Sequence, residues 1–178
     1  MKIVLLGYMG SGKSTIGRHL AEHLKLPFTD LDTYIEKKEK STIAEVFQSR
    51  GELYFRKREY QYLCEVLGQE ADVVLSVGGG TPCYGSNMDA ILGSTDAVFY
   101  LNVPISQLVE RLSQHKDQRP LVRDIPDEDL PEFIGKHLFE RSAFYNRAHF
   151  TIYCGNKGPE NVALEVMDIL DSIKSLKE

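Results

Sequence analysis

The chain opens MKIVLLGYMGSGKST, and within it Gly7-Tyr8-Met9-Gly10-Ser11-Gly12-Lys13-Ser14 fits the spacing GxxxxGK[ST]. That pattern is suited to holding a polyphosphate. A multiply anionic tail must give up its water, and backbone N–H groups replace that water only where the chain wraps closely around the ligand. Glycines permit the wrap. Lys13 brings a cation to the β and γ phosphates, and the Ser14 hydroxyl is a ligand for Mg²⁺. Gly10, Ser11, Gly12, Lys13, Ser14 and Thr15 are therefore candidate nucleotide contacts. The alternative is a tight glycine turn without a ligand. The context favours the ligand: an aliphatic run at 3–6 precedes the loop, and Ile16, Leu20 and Leu24 recur at helical spacing after it. A helix there aims its N-terminal N–H groups at the phosphates.

Other residue types complete a transfer site. Asp30 and Asp32 lie in FTDLD. Two apart in an extended chain, they point to one side. At the carboxyl end of a strand beside the glycine loop they face the ligand crevice. One would then serve Mg²⁺ and the other accept a proton from a substrate hydroxyl. The competing reading is that Asp32 or Thr33 caps the next helix. Gly78, Gly79 and Gly80 are either a flexible turn or a place where ligand touches backbone. Arg56, in YFRKREYQYL, shares a helix face with Glu59 and Tyr60, which is also the spacing of an ordinary surface ion pair. Ile134, Leu138, Arg141 and Tyr145 step by four, three and four. An arginine on that apolar stripe either snorkels to water or clamps a carboxylate or phosphate. Arg119 sits in SQHKDQRPLVRDIPDED, residues 113–129. That charged segment with two prolines predicts a mobile surface stretch, and a cation on it could close over transferring phosphate and exclude water. Lys116 and Arg123 compete for that role. His19, His23, His115, His137 and His149 show no metal-ligand spacing and read as solvated or structural.

These residues need a scaffold. Aliphatic runs at 3–6, 73–77 and 98–101, with weaker ones at 28–31 and 150–153, predict strands. Helical spacing lies between them: Ile105, Leu108, Val109 and Leu112, and a C-terminal stripe of Val162, Val166, Ile169, Leu170, Ile173 and Leu176 behind Pro159. Thr42 and Glu45 have capping-box spacing, so a helix is expected to start near Thr42. Alternating strands and helices imply an α/β fold with a parallel sheet and right-handed crossovers. The length, 178 residues, suits one domain, 1–178. The formal charge of −5, from 21 basic and 26 acidic residues, argues against a general nucleic-acid or membrane binder. Cys64, Cys83 and Cys154 are odd in number and lack CxxC spacing, so free thiols in a reducing, cytoplasmic setting are expected. Nothing approaches a membrane span or a signal core. A monomer is the default.

GYMGSGKST, DLD, FRKRE, GGG, RPL and RSAFY, in this order and spacing over nearly the whole chain, resemble the shikimate kinase family. The resemblance implies a three-layer P-loop NTPase fold with five parallel strands ordered 2-3-1-4-5, flanking helices and a mobile lid at about 113–129. It implies a substrate-binding region at about 32–64. The implied reaction moves the γ-phosphate of ATP to the 3-hydroxyl of shikimate, on the route to chorismate and aromatic amino acids. In the implied roles, Lys13 contacts the transferring phosphate, while Ser14 and, through water, Asp30 serve Mg²⁺. Asp32 binds substrate hydroxyls and is the candidate base. Arg56 and Arg141 grip the carboxylate, with Glu59 orienting arginine. Gly78, Gly79 and Gly80 line the acceptor pocket, Arg119 is the lid arginine, and adenine lies near Arg111, Asn156 and Lys157. Read from residues alone, the same inventory also suits a kinase of gluconate or of a nucleoside monophosphate. From a different class, a nucleotide-switch protein with no acceptor would leave the arginines and acids without a purpose.

Overall fold

Ile3, Val4, Leu5 and Leu6 expose no surface. A strand apolar on both faces needs cover on both, and β1 (Lys2–Leu6) has it, at the centre of a five-stranded sheet. The computed structural model describes residues 1–116, 119 and 121–175. The other strands are β2 (Phe28–Asp30), β3 (Val73–Ser76), β4 (Val98–Asn102) and β5 (Phe150–Tyr153). Every pairing is parallel and the order is β2-β3-β1-β4-β5. Seven α-helices flank the sheet among the described residues: α1 (Lys13–Leu24), α2 (Leu31–Glu39), α3 (Ile43–Gly68), α4 (Asn87–Ser94), α5 (Ile105–Ser113), α6 (Leu130–Tyr145) and α7 (Pro159–Ser175). β1 lies between β3 and β4, where the strand order reverses, and ligands of open α/β sheets bind beyond the carboxyl ends of strands at that point.

Most of the apolar stripe residues face the core as their spacing predicts; Ile105, at the start of α5, is exposed. Ile16 and Leu20 of α1, Leu108 and Leu112 of α5, and Val162, Val166 and Leu170 of α7 are buried. Leu176, the last residue of the expected C-terminal stripe, lies outside the described residues. The capping box at α3 is complete: Glu45 N–H donates to Thr42 Oγ1 at 3.2 Å and Thr42 N–H to Glu45 Oε2 at 2.7 Å. α3 breaks at Gly51 (φ 81°, ψ 172°). Few residues besides glycine occupy that region, and the break re-aims the half of the helix that carries Arg56 and Glu59.

Two expectations change. β2 ends at Asp30 and α2 starts at Leu31, so Asp30 and Asp32 are not alternate residues of one extended strand. Nor does Asp32 or Thr33 cap the helix. Asp30 does, accepting from the Thr33 N–H at 3.2 Å. The described residues of the segment 113–129 also make contacts that its composition did not signal. Val122 is fully buried in the core, and Lys116 Nζ joins the Ile125 carbonyl and Asp127 across the turns. Asp117, Gln118 and Pro120, the proline of the RPL stretch, lie outside the described residues.

Candidate active site

Residues 7–12 connect β1 to α1. Gly10 (φ 78°) and Gly12 (φ 87°) both occupy the left-handed region, where a side chain would strain the loop. Lys13 opens α1 and its ammonium folds back over the loop, donating to Gly7 O at 2.8 Å and Tyr8 O at 3.0 Å. Burial pushes its pKa down to about 8; Asp32 opposes that shift and Arg119 adds to it. Lys13 is still mainly charged at neutral pH.

Ser14 Oγ donates to Asp30 Oδ2 at 2.6 Å. Asp30 thus spends one oxygen on the helix cap and turns the other to the glycine loop. Two hard oxygen donors suit Mg²⁺, which takes one or two protein oxygens and fills its shell with phosphate and water. Among the described residues, no group of three or more His, Cys, Asp or Glu could hold a metal by itself. The donor set fits an ion that arrives with phosphate.

Asp32 stands in the first turn of α2. Burial, with the Asp30 charge second, pushes its carboxyl up to about 6, and Lys13 pulls the other way. No hydrogen bond from a described residue holds it, so its oxygens are available to a ligand. It lines a cleft of about 480 Å³ together with residues 9–16, Asp30, Gly78, Gly79, Arg111 and Arg119.

The three glycines after β3 join this cleft to the arginines. A Cβ on Gly78 would stand 2.8 Å from Asp32 Oδ1, inside any tolerable contact, so Asp32 keeps its place only because residue 78 lacks a side chain. On Gly79 a Cβ would meet Arg141 Nη1 at 3.4 Å, and on Gly80 it would meet Arg141 Nη2 at 3.4 Å and Arg56 Nη1 at 3.6 Å. The carboxylate and the two guanidinium groups are therefore brought to neighbouring residues of one backbone stretch. Gly80, Arg56 and Arg141 lie outside the 480 Å³ cleft, beyond its Gly79 end.

The two arginines are held differently. Arg56 Nη1 donates to Glu59 Oε2 at 3.1 Å, and its guanidinium lies 3.5 Å from the Tyr84 ring centre. Glu59 is 2% exposed and also accepts from Thr81 Oγ1 at 2.7 Å and Asn87 Nδ2 at 3.4 Å, a network that fixes Arg56. Arg141 is 9% exposed and has no carboxylate partner among the described residues. A buried cation without an acid is costly, which suits a place reserved for an anion. Tyr145, one turn on, donates to Gly79 O at 2.5 Å and ties α6 to the glycine stretch.

On the far side of the loop, Arg111 Nη1 donates to Gly10 O at 3.1 Å. Arg111 and Lys157 line both the cleft and a second recess of about 350 Å³; Asn156 lines only the recess and accepts from Gln107 Nε2 at 2.6 Å. Arg119 is exposed and lines the cleft; its N–H donates to Lys116 O at 2.9 Å.

Some site residues escaped sequence reasoning. Ser76, buried at the end of β3, lines the cleft. His115, exposed, also lines it, and His137 bonds Tyr8 at 2.8 Å, a structural role of the kind the sequence left open. His137 precedes Arg141 by four on α6, and that spacing was the available signal. Thr81 and Asn87 had none, because their partner Glu59 lies 22 and 28 residues away.

The family model described as Shikimate kinase matches residues 9–171. A shikimate kinase of Flavobacterium johnsoniae is 43% identical over 170 residues, covering 95% of this chain and 98% of that protein. Among solved structures, shikimate kinase from Bacteroides thetaiotaomicron superposes with a TM-score of 0.88 at 36% identity, over 96% of this chain and 98% of that one. Shikimate kinase from Acinetobacter baumannii, solved in complex with shikimate, superposes with a TM-score of 0.87 at 33% identity, over 97% and 94% of the two chains.

Proposed function

This chain belongs to the shikimate kinase family, and from that premise we propose which of its residues carry the reaction. The activity is transfer of the γ-phosphate of ATP to the 3-hydroxyl of shikimate, giving shikimate 3-phosphate and ADP, a step of aromatic amino-acid biosynthesis. The observation that carries the residue assignment is the run Gly78-Gly79-Gly80. A side chain on this run would collide with Asp32 at one end and press on both arginines at the other. Two peptide steps span at most about 7 Å, the scale of a small ring with a hydroxyl at one edge and a carboxylate at the other.

In this assignment Arg56 and Arg141 grip the carboxylate, and Gly79 and Gly80 let the ring lie against backbone. Asp32 accepts the hydrogen bond of the 3-hydroxyl and takes its proton. A carboxyl near 6 is a better base at neutral pH than one in the ordinary range. Phosphoryl transfer passes through a loose transition state, so orienting the hydroxyl in line is the first contribution of Asp32 and basicity the second. Lys13 exchanges its loop carbonyls for the transferring phosphate. Gly10, Ser11, Gly12 and Thr15 present backbone donors to the polyphosphate, and Arg119 covers it from the segment 113–129, acting as a lid that excludes water. Arg111, Asn156 and Lys157 receive the adenine. Ser14 and Asp30 would hold Mg²⁺, which supplies charge neutralisation between the β and γ phosphates.

A coupled ADP-release assay with shikimate, gluconate and a nucleoside monophosphate tests the acceptor. Turnover preferring shikimate is expected, and a preference for the monophosphate would refute the assignment. The setting we assign is a cytoplasmic monomer without a nucleic-acid partner. Its support is the acidic net charge and the three free cysteines, and no helix among the described residues is long and apolar enough to cross a membrane. Light scattering checks the monomer.

A further inference from the structure

Tyr8 belongs to the phosphate loop, yet its side chain turns away from the cleft. The ring is 2% exposed and packs edge-on against His137, with centroids 5.5 Å apart and planes at 83°. The Tyr8 hydroxyl and His137 Nδ1 are 2.8 Å apart. The guanidinium carbon of Arg141 lies 5.7 Å from the centre of the same ring, within cation–π reach. His137 and Arg141 are one turn apart on α6, on one face. Through its carbonyl, Tyr8 also receives Lys13 Nζ at 3.0 Å. One loop residue therefore touches the phosphate-side cation with its backbone and the buried arginine with its ring.

The contrast with Arg56 gives this contact its meaning. Arg56 is aimed by Glu59, which also neutralises part of its charge. Arg141 has no acid partner among the described residues; its neighbours include the Tyr8 ring and the Tyr145 hydroxyl, and a Cβ built on Gly79 or Gly80 would stand 3.4 Å from its guanidinium. Neutral neighbours can fix a guanidinium without competing for it, so Arg141 keeps its full charge for the acceptor. Burial pushes the Tyr8 hydroxyl up to about 12, and burial together with Arg141 lowers the His137 imidazole. Both shifts favour the neutral groups, and the bond runs from the hydroxyl to Nδ1 or from an Nδ1–H to the hydroxyl, according to the imidazole tautomer.

We propose that Tyr8 and His137 are positioning residues for acceptor recognition: their hydrogen bond pins the Tyr8 ring against Arg141 and so sets the direction of that guanidinium toward the acceptor carboxylate. The inference rests on Arg141 being a carboxylate clamp, as assigned above.

The test compares kcat/KM for shikimate with that for its methyl ester, in which the carboxylate charge is gone. The ratio reads how well the clamp is aimed. Tyr8→Phe and His137→Leu each remove the bond and should lower the ratio about threefold to tenfold, the range of one neutral hydrogen bond, through KM for shikimate and with KM for ATP nearly unchanged. His137→Asn, which offers both an acceptor and a donor at the δ position, should restore the ratio to near the parent value. Tyr8→Phe combined with His137→Leu should be no worse than either alone. If shikimate and ester fall together in Tyr8→Phe and in His137→Leu, the pair only packs and the proposal is overturned. Arg141→Ala separates the two claims. If it leaves the ratio intact, the clamp reading fails and takes this proposal with it. If it collapses the ratio while the Tyr8 and His137 variants do not, the clamp stands and only the positioning claim is wrong.

Discussion

At the scale of single residues, Asp32 and Arg141 carry charges that the fold itself does not use. Asp32 has no hydrogen-bond donor among the described residues and a carboxyl pushed up to about 6 by burial and by Asp30. Asp32→Asn should lower kcat about 100-fold or more if the carboxylate is the base; steady-state turnover with saturating ATP measures it, and near-normal turnover would remove Asp32 from the chemistry. Arg141→Ala should raise KM for shikimate while leaving KM for ATP nearly unchanged, and the opposite pattern would move Arg141 to the nucleotide side. These two residues were legible in the sequence for different reasons. Arg141 broke an apolar helical stripe, a local signal. Asp32 was found through an argument that the structure corrects, since the helix begins at Leu31, two residues earlier than an extended reading of FTDLD allows. The cap at Asp30 decides that boundary, and a cap depends on which N–H a side chain reaches, which spacing alone leaves ambiguous between Asp30, Asp32 and Thr33.

At the scale of elements, two turns set the geometry. Gly51 breaks α3, and nothing lies within 4 Å of the position its Cβ would take, so the demand there is conformational and not steric. Gly51→Ala should cost about 1–3 kcal/mol and raise KM for shikimate by shifting Arg56, a pair of effects that thermal unfolding and kinetics read together. Gly78 poses the reverse case. Its backbone is ordinary, but a Cβ would stand 2.8 Å from Asp32 Oδ1. The same Cβ would stand 2.9 Å from the buried Thr81 Oγ1, so Gly78→Ala should lower the melting temperature and also lower kcat through Asp32; normal kcat in the folded fraction would contradict the close-approach argument. The strands and buried helices were readable because the core enforces periodicity. The three glycines remained ambiguous between hinge and contact, because the groups that crowd them come from α2, α3 and α6. The segment 113–129 looked loose because one buried anchor, Val122, makes no periodic pattern.

At the scale of the whole molecule, the site is a strained part of the fold. Asp32 has its pKa raised by folding, so the folded state favours its protonated form. That contribution is fully present below about pH 4 and lost as pH rises through about 6. Lys13, lowered to about 8, is destabilising while charged, and that penalty fades only as pH rises from 8 toward the ordinary lysine value of 10.5. At neutral pH the ligand-free enzyme thus holds two unfavourable charges, and the nucleotide relieves the one on Lys13. Asp32→Asn should raise the melting temperature of the ligand-free protein at pH 7 by a few degrees, equivalent to about 1–2 kcal/mol, even as it removes activity, and a drop would show that the ionised carboxylate supports the fold. Saturating ATP and Mg²⁺ should raise the melting temperature by mass action. In kcat/KM for ATP, which reports the free enzyme, an acid limb near pH 6 and an alkaline limb near pH 8 are expected from Asp32 and Lys13, with the acid limb absent in Asp32→Asn.

The most direct test of the central claim is a crystal structure of the protein with ADP, Mg²⁺ and shikimate bound. The assignment requires the shikimate carboxylate within hydrogen-bond distance of both Arg56 and Arg141, its ring against Gly79 and Gly80, and its 3-hydroxyl on Asp32, facing the β-phosphate across Lys13. A carboxylate bound away from the two arginines, or a 3-hydroxyl turned from Asp32, would contradict it.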